Sequence, residues 1–340
     1  MRSPRLSELP PPPTGKTGWP WTVESEPVPE LSCGHECPKI TVVTPSYMQG
    51  GYLEETIRSV LLQGYPNLEY FVLDGGSRDN SAEIIRRYEP WLAGWRCEKD
   101  EGQAATINEG WARASGDVVA WINSDDWYQV NAFAAVAPQF VGQTPAHWIQ
   151  GAVDDHSSEG QFLRRRSAAA TPLAKAIGFR DFGYHQPGMF WGRELITKVG
   201  SLDTTFDCSF DLEFWARSLA HGFELKPLEQ AVACFRQHAD AKTCRRTELI
   251  MRENWAVFRR YASDLSPAER RQAACWLRDY EADTLPRVLY RRLQQGERGV
   301  AFSYLLRKWR VALHLQPPRL ALGALWRILV TGRAPSWFVD

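Results

Sequence analysis

The sequence has no excess of charge of either sign, because 40 lysines and arginines balance 40 aspartates and glutamates over its 340 residues. A dedicated nucleic-acid binder carries a clear basic excess, so we expect no nucleic acid among the partners. No stretch reaches the roughly 18 uncharged apolar residues of a membrane span. Residues 1–9 also lack the apolar core of a signal peptide. We therefore expect a cytoplasmic protein that does not cross the membrane.

Glycine-rich motifs that cradle phosphates are also missing. Neither GxGxxG nor the Walker pattern GxxxxGK[ST] occurs, which disfavours a Rossmann dehydrogenase and a P-loop NTPase. Any phosphate group would have to be held by a metal ion and by basic side chains instead.

The seven cysteines form an odd and scattered set, unlike the disulfide framework of a secreted protein. Cys33 and Cys37 flank His35 like part of a metal site, but no matching second pair accompanies them. Free thiols in a reducing compartment are the preferred interpretation.

Charge and proline content divide the chain into three parts. Residues 1–38 contain nine prolines and no apolar periodicity, which predicts an extended or poorly ordered lead-in. Residues 39–240 form the predicted folded body, and residues 241–340 form a helical extension. Residues 1–240 carry a net charge of −10 and residues 241–340 carry +10, so we expect different roles for the body and the extension.

Strands and helices alternate from Lys39 onward, which predicts an α/β fold with a mostly parallel sheet flanked by helices. The apolar patterns predict four strands in the first half, at 40–43, 68–73, 95–98 and 118–122, separated by helices at 52–63, 79–88 and 103–114. The second half of the body predicts four short strands, at 148–153, 161–166, 187–191 and 231–236, and a helix at 211–221. The extension predicts helices at 248–261, 267–280 and 302–315.

Polar residues follow each of the first four strands. The set comprises Thr44-Pro45-Ser46-Tyr47, Asp74, Asp100 to Gln103, and Asp125-Asp126. Ligands of open parallel sheets bind at this edge. Two adjacent carboxylates after a buried strand repel each other unless a cation or hydrogen-bond donors compensate them. The aspartate pair therefore predicts a Mg²⁺ or Mn²⁺ site, with a solvated turn as the alternative.

Three motifs within residues 39–140 together resemble the family 2 glycosyltransferases. They are ITVVTPSYMQGGYLEETIRSVLLQGYPNLEYFVLDGGSRDNS, EKDEGQAATINEGWARASGD and VAWINSDDWY, in that order. The resemblance implies a GT-A fold, a nucleotide-sugar donor and inverting transfer to a glycan or lipid-linked acceptor. It also implies that residues 39–140 bind the donor and residues 141–240 the acceptor.

The resemblance further implies roles for residues of the donor half. Asp126 is the implied metal ligand, and Asp125 lies nearer the sugar or ribose. The other implied donor-binding residues are Thr44, Pro45, Tyr47, Asp74, Asp100, Gln103 and Asn108. Many relatives carry a second acid after the residue matching Asp74, whereas this chain has Gly75.

In the acceptor half, FDLEFW matches a family motif whose first acid is the general base, which implies that role for Asp211. Glu213 lies about 200° away around the helix, so it is expected to orient or pair with a base. Trp191 is the candidate that stacks on the acceptor sugar. His238 is either a metal ligand or an ordinary surface histidine, whereas His185 is more readily a packed core histidine. Arg236 or Lys242 could neutralise the leaving diphosphate.

Basic and apolar residues mix at helical spacing in segments 305–313 and 320–330. These segments either contact an anionic membrane surface or cover the acidic body. Two other functions remain open, a nucleotidyltransferase and a non-catalytic module that binds a nucleotide sugar or glycan.

Overall fold

The computed structural model describes residues 2–28, 36–142, 147–180, 183–238 and 241–308. The chain divides into two compact units, one formed by residues 1–171 and 183–239 and the other by residues 172–182 and 240–340. Cys33, His35 and everything after residue 308 lie outside the described part. Expectations for Cys33 and for most of the two basic segments therefore stay predictions.

A mixed sheet forms the centre of the first unit. Its strands are β1 (Ile40–Ser46), β2 (Leu68–Asp74), β3 (Gly94–Cys97), β4 (Val118–Trp121), β5 (Trp127–Tyr128), β6 (Trp148–His156), β7 (Phe162–Arg166), β8 (Met189–Gly192) and β9 (Lys226–Arg236). They lie in the order β3-β2-β1-β4-β8-β6-β9-β5, with β7 also paired to β6.

The first four strands are parallel to one another, as the alternating pattern predicted. The second half is different, because β8 and β7 pair antiparallel with their neighbours and only β6 and β9 pair in parallel. The antiparallel pairing of β6 and β7 follows from their short connection, which leaves no room for a crossover helix.

The helices of the described residues follow in chain order. They are α1 (Leu53–Leu61), α2 (Ser81–Tyr88), α3 (Gln103–Arg113), α4 (Ala132–Val136), α5 (Leu173–Ile177), α6 (Arg193–Val199), α7 (Phe210–Ala220), α8 (Lys242–Arg245), α9 (Thr247–Tyr261), α10 (Pro267–Gln294) and α11 (Arg298–Arg307). In α1, the helically spaced Leu53, Ile57 and Val60 are fully buried in the core that also contains β1 and β2.

Residues 2–28 differ from the expected poorly ordered lead-in. The buried Arg58 side chain of α1 donates hydrogen bonds to the carbonyl oxygens of Pro10 (2.9 Å), Pro20 (3.0 Å) and Trp21 (3.0 Å). A proline-rich segment has few backbone pairs of its own, so its carbonyl groups are available to a guanidinium. This segment is therefore anchored on the first unit.

The second unit is helical, as predicted for the extension. Its longest helix, α10, begins with a capping box in which Ser266 and Glu269 bond each other's backbone, and it continues past the predicted end at residue 280. Leu285 and Leu289 of α10 pack with Tyr304 of α11 in a small core. Over the described residues, no helix is both long enough and apolar enough to span a membrane.

Candidate active site at the carboxyl ends of the strands

The loops that follow β1, β2 and β4 begin at one edge of the sheet. Ser46, the last residue of β1, is in register with Asp74, the last residue of β2, and Val43 is in register with Trp121 of β4. Strands in this register carry the residues that follow them to the same edge, where open α/β sheets bind ligands.

The residues at the carboxyl end of β1 contribute mainly to the core. Thr44 is buried and its hydroxyl lies 3.0 Å from the Tyr70 hydroxyl, and Pro45 is buried as well. Tyr47, by contrast, is 65% exposed. Of these three predicted residues, only Tyr47 exposes its side chain.

Asp74 organises its own loop. Its Oδ1 accepts hydrogen bonds from the backbone amides of Gly76 (3.0 Å) and Ser77 (2.7 Å), and its Oδ2 accepts one from the Ser77 hydroxyl (2.7 Å). The Ser77 hydroxyl in turn accepts a bond from the Met48 amide, which joins the loops after β1 and β2. Asp74 is fully buried, and its carboxylate holds the backbone of the loop that follows β2.

Asp100 lies directly against the glycine that follows Asp74. A Cβ atom at Gly75 would be 2.8 Å from Asp100 Oδ2, so a side chain there would require Asp100 to move. Asp100 is held by the Gly102 amide (3.0 Å) and the Thr106 hydroxyl (2.6 Å). The space beside Gly75 is thus occupied by the carboxylate of Asp100 from the loop that follows β3.

A chain of side-chain amides crosses the floor of this edge. Gln103 Nε2 donates to Asn123 Oδ1 (2.8 Å), and Asn123 Nδ2 donates to Gln186 Oε1 (3.2 Å). Gln186 Nε2 then donates to the carbonyl oxygen of Trp121 at the end of β4 (2.8 Å). Asn123 and Gln186 were not predicted as site residues, although Asn123 lies in the motif VAWINSDDWY, directly before Ser124, Asp125 and Asp126.

The two aspartates of that motif have different environments. Asp126 is buried, its Oδ1 accepts the Arg236 amide at 2.9 Å, and burial together with Asp125 raises its pKa well above the ordinary value. Asp125 is partly exposed, and its Oδ2 lies 3.0 Å from His238 Nε2. Of the two carboxylates, Asp125 is therefore the more accessible, and the assignment of the metal to Asp126 stays a prediction.

Arg236 holds both aspartates in place through its backbone amide and its side chain. Its buried guanidinium lies 4.8 Å from the Tyr52 ring centroid and 4.4 Å from that of Trp127, and it pairs with Glu55 at 2.9 Å. Its Nε also donates to the Asp125 carbonyl oxygen (3.0 Å). The charge of Arg236 is thus compensated by Glu55, and the expectation that Arg236 neutralises a leaving group stays a prediction.

We call Asp125, Asp126 and His238 the strand-end cluster. Within the described residues, no group of three or more His, Cys, Asp or Glu side chains forms a complete metal site. The buried Nδ1 of His238 has no hydrogen-bond partner. A partly exposed carboxylate beside an imidazole fits a cation that takes its remaining ligands from phosphate oxygens and water, as Mg²⁺ commonly does.

On the acceptor side, Asp211 and Glu213 begin α7 but differ in burial. Asp211 is half-buried and its Oδ1 accepts the Leu212 amide at 2.7 Å. Glu213 is buried and forms an ion pair with Arg217 at 3.0 Å. Of the two carboxylates, Asp211 is the more accessible, and Glu213 has the pairing role expected for it.

Asn108 of α3 connects the two halves of the first unit. Its Nδ2 donates to the Leu202 carbonyl oxygen (2.8 Å) and its Oδ1 accepts the Leu202 amide (2.9 Å). Its amide holds the loop that leads to α7, which gives it a positioning role.

Trp191 is a core residue, which corrects its assignment to the acceptor side. It is fully buried and stacks on Trp121 with ring centroids 4.6 Å apart and planes 5° from parallel. Trp111 and Phe214 pack against it from α3 and α7. Because an aromatic residue at this spacing suits both a core and a sugar platform, the sequence did not separate the two.

Sequence comparisons identify the class of enzyme to which this fold and site belong. The family described as Glycosyl transferase family 2 matches residues 41–200. An uncharacterized glycosyltransferase of Mycobacterium tuberculosis is 31% identical over 183 residues, which are 53% of this chain and 69% of the relative. TuaG of Bacillus subtilis, a putative teichuronic acid biosynthesis glycosyltransferase, is 36% identical over 92 residues, 26% of this chain and 36% of the relative. The chain belongs to glycosyl transferase family 2.

Solved structures agree on the fold. S. aureus TarS 1-349 in complex with UDP-GlcNAc is similar with a TM-score of 0.54 at 15% identity, covering 86% of this chain and 90% of that chain. The mannosyltransferase PcManGT from Pyrobaculum calidifontis, in complex with GDP-Man and Mn²⁺, has a TM-score of 0.53 at 18% identity, covering 94% and 92%. The predicted GT-A fold with C-terminal helices is confirmed.

Proposed function

We propose that this glycosyltransferase moves a sugar from a nucleoside diphosphate donor, uridine-linked by preference, to a hydroxyl group of a glycan or lipid-linked acceptor. The observation that carries the proposal is the Asp125 carboxylate beside His238 at the edge where the loops after β1, β2 and β4 meet. TarS in complex with UDP-GlcNAc and PcManGT in complex with GDP-Man and Mn²⁺ support a nucleotide-sugar donor and a divalent ion.

Asp125 and His238 would hold Mn²⁺ or Mg²⁺, with diphosphate oxygens as further ligands. When bound, the ion offsets the negative charge that develops on the leaving diphosphate. Hydrogen bonds between Asp126 and Arg236, and between Arg236 and the Asp125 carbonyl oxygen, stabilise the backbone next to Asp125 and His238. Tyr47, Asp100 and Gln103 are the proposed contacts to the nucleoside.

Asp211 acts as the general base in this proposal. Its carboxylate takes the proton of the acceptor hydroxyl while the hydroxyl oxygen forms a bond to the anomeric carbon. The bond from that carbon to the phosphate oxygen breaks, and its electron pair leaves with the nucleoside diphosphate. Attack on the face opposite the leaving group inverts the anomeric configuration.

Release of nucleoside diphosphate from UDP-sugars and GDP-sugars in the presence of Mn²⁺ tests this function. We expect the wild-type protein to release diphosphate and Asp211→Asn to lose turnover while it still binds the donor. Glu194→Gln, on the exposed surface of α6, is the matched control and should keep full activity.

The two alternative functions predict different outcomes, and the nucleotidyltransferase needs a second assay with other substrates. A nucleotidyltransferase would release pyrophosphate from a sugar phosphate and a nucleoside triphosphate. A non-catalytic module would bind the nucleotide sugar without releasing diphosphate, and Asp211→Asn would leave that binding function intact. Either result would contradict the proposed reaction.

We also propose that the basic second unit brings the enzyme to the inner face of the membrane, where a lipid-linked acceptor would lie. Phe302 and Leu306 are exposed on α11 beside Arg307, and residues 241–340 carry a net charge of +10. Flotation with anionic vesicles at low salt should carry the full chain to the lipid fraction. If the chain stays unbound, cytoplasmic action on a soluble glycan replaces this part of the proposal.

A further inference from the structure

The hairpin of β6 and β7 borders the strand-end cluster. The Gln237 backbone amide donates to the His156 carbonyl oxygen at 2.8 Å, and its side-chain Nε2 donates to Asp155 Oδ2 at 2.8 Å. The next residue is His238, which lies against Asp125. Gln237, which bonds the hairpin, is therefore the direct sequence neighbour of the proposed metal ligand His238.

Three consecutive arginines on β7 pair with two buried aspartates on β6. Arg164 Nε donates to Asp155 Oδ2 at 2.8 Å, and Arg166 donates to the same oxygen through Nε (2.8 Å) and Nη2 (2.6 Å). Arg165 forms a two-pronged pair with Asp154, at 2.7 and 2.9 Å. The alternation follows the strand geometry, in which successive side chains point to opposite faces.

The charges on the two faces of the hairpin are unequal. Arg165 and Asp154 match one to one, whereas Arg164 and Arg166 share the single charge of Asp155. No other carboxylate among the described residues forms an ion pair with Arg164 or Arg166. One positive charge is left over on their face, and the Arg164 side chain is 64% exposed.

The positive charges of Arg164 and Arg166 act on His185. Burial, and then Arg166, lowers its pKa to about 4, while Asp155 acts in the opposite direction. Its neighbour Gln186 accepts the hydrogen bond from Asn123. The charges of Arg164 and Arg166 therefore act on a residue that precedes Gln186 in the active-site floor.

Building on the proposed function, we propose that Arg164 and Arg166 form an acceptor subsite that binds an anionic group, a carboxylate or phosphate, on the glycan acceptor. A guanidinium offers a planar fork of N–H donors that matches these groups. Arg164 uses only its Nε in the pair with Asp155, so its terminal nitrogen atoms are available. Asp155 holds both arginines in place from the buried side.

Binding of defined oligosaccharides tests this subsite. We would titrate an oligogalacturonate, a phosphate-bearing glycerol oligomer and an uncharged galactose oligomer into the full chain with UDP and Mn²⁺, and measure the Kd of each by calorimetry. At least one anionic probe should bind in preference to the neutral one. The double variant Arg164→Gln/Arg166→Gln should weaken that binding by about tenfold or more, as expected for lost charge-assisted contacts.

Arg165→Gln is the matched control, because Arg165 lies on the same strand, pairs with a similar buried aspartate and faces the other way. It should change the Kd of the anionic probe by less than about twofold. If the double variant melts at a lower temperature, Arg164→Gln alone replaces it, since that side chain is mostly exposed.

Three results would overturn the subsite. They are equal binding of charged and neutral probes, no binding of either anionic probe, and equal weakening by Arg165→Gln. Binding of UDP should be the same in all variants. If UDP itself fails to bind the wild-type chain, the proposed function fails rather than the acceptor subsite.

Discussion

Carboxylates have different partners in the two halves of the first unit. In the half that follows β1 to β4, Asp74 and Asp100 accept hydrogen bonds from amides and hydroxyls of their own loops. On the hairpin of β6 and β7, Asp154 and Asp155 instead hold arginines. The first arrangement holds loop backbone in place, and the second fixes the positions of charged side chains.

A smaller comparison lies within the strand-end cluster. Asp126 is buried and bonded to the backbone of β9, whereas Asp125 is partly exposed beside His238. Two neighbours of the same type thus differ in burial, and the proposed function assigns the ligand to the more exposed one.

The largest effect is expected for Asp211, the more accessible of the two carboxylates that begin α7. Asp211→Asn should lower kcat by about 10²- to 10⁴-fold, the usual contribution of a general base, with donor affinity unchanged. Steady-state release of nucleoside diphosphate measures kcat, and calorimetry measures donor affinity. Equal loss of donor affinity and turnover would indicate a binding role for Asp211 instead.

Burial separates the two aromatic candidates, Trp191 and Tyr47. Trp191→Ala should lower the free energy of unfolding by about 3–5 kcal/mol, because it opens a cavity in the aromatic core. Tyr47→Ala, at an exposed position, should change it by less than about 0.5 kcal/mol. Denaturant titration gives both values. A stable Trp191→Ala protein with weakened acceptor binding would restore the acceptor role that the structure rejects.

The aspartate pair should respond unequally to amide substitution. Asp125→Asn should weaken Mn²⁺ binding by at least about tenfold, the lower end of the effect of groups that merely orient metal ligands. Asp126→Asn should leave Mn²⁺ binding nearly unchanged, because the Asp126 carboxyl faces the Arg236 amide. Titration of Mn²⁺ followed by electron paramagnetic resonance distinguishes the two variants. The opposite ranking would return the metal to Asp126.

The smallest effect concerns the pH dependence of stability. The pKa of His185 is lowered to about 4 in the fold, against about 6.5 in an unfolded chain. Between these values the unfolded chain binds more protons, so stability is full above pH 6.5 and falls as the pH drops towards 4. His185→Gln should reduce this loss by about 1–3 kcal/mol, measured by denaturant titration at pH 7 and pH 4.5. If the loss of stability between pH 7 and pH 4.5 is the same in the variant, another titratable group causes it.

Periodicity and motif order predicted most of the fold. The apolar stripe of α1 and the β-branched run of β1 identify their elements because burial on a helix face or in a parallel sheet demands those patterns. The two-residue strand β5 and the five-residue helix α4 were not predicted. Elements this short have no period of their own, and their pairing with β9 and the core depends on residues distant in sequence.

Site residues were less predictable than the fold, because their roles depend on the direction in which each side chain points. The motif identified Asp125 and Asp126 together, but which carboxylate turns inward depends on the Arg236 amide, 110 residues along the chain. Asn108 and Trp191 lie at plausible positions in the sequence. In the structure, however, Asn108 hydrogen-bonds the backbone of Leu202 and Trp191 stacks on Trp121. The arginine pairing on the hairpin required the register of β6 and β7, which a sequence pattern does not specify.

The most direct test of the account is the stabilisation of the full chain by UDP with and without Mn²⁺. The account predicts that UDP with Mn²⁺ raises the melting temperature of the wild type and of Arg165→Gln, and that Asp125→Asn loses the Mn²⁺-dependent part of the rise. An unchanged melting temperature of the wild type with UDP and with GDP, at any Mn²⁺ concentration, would contradict it.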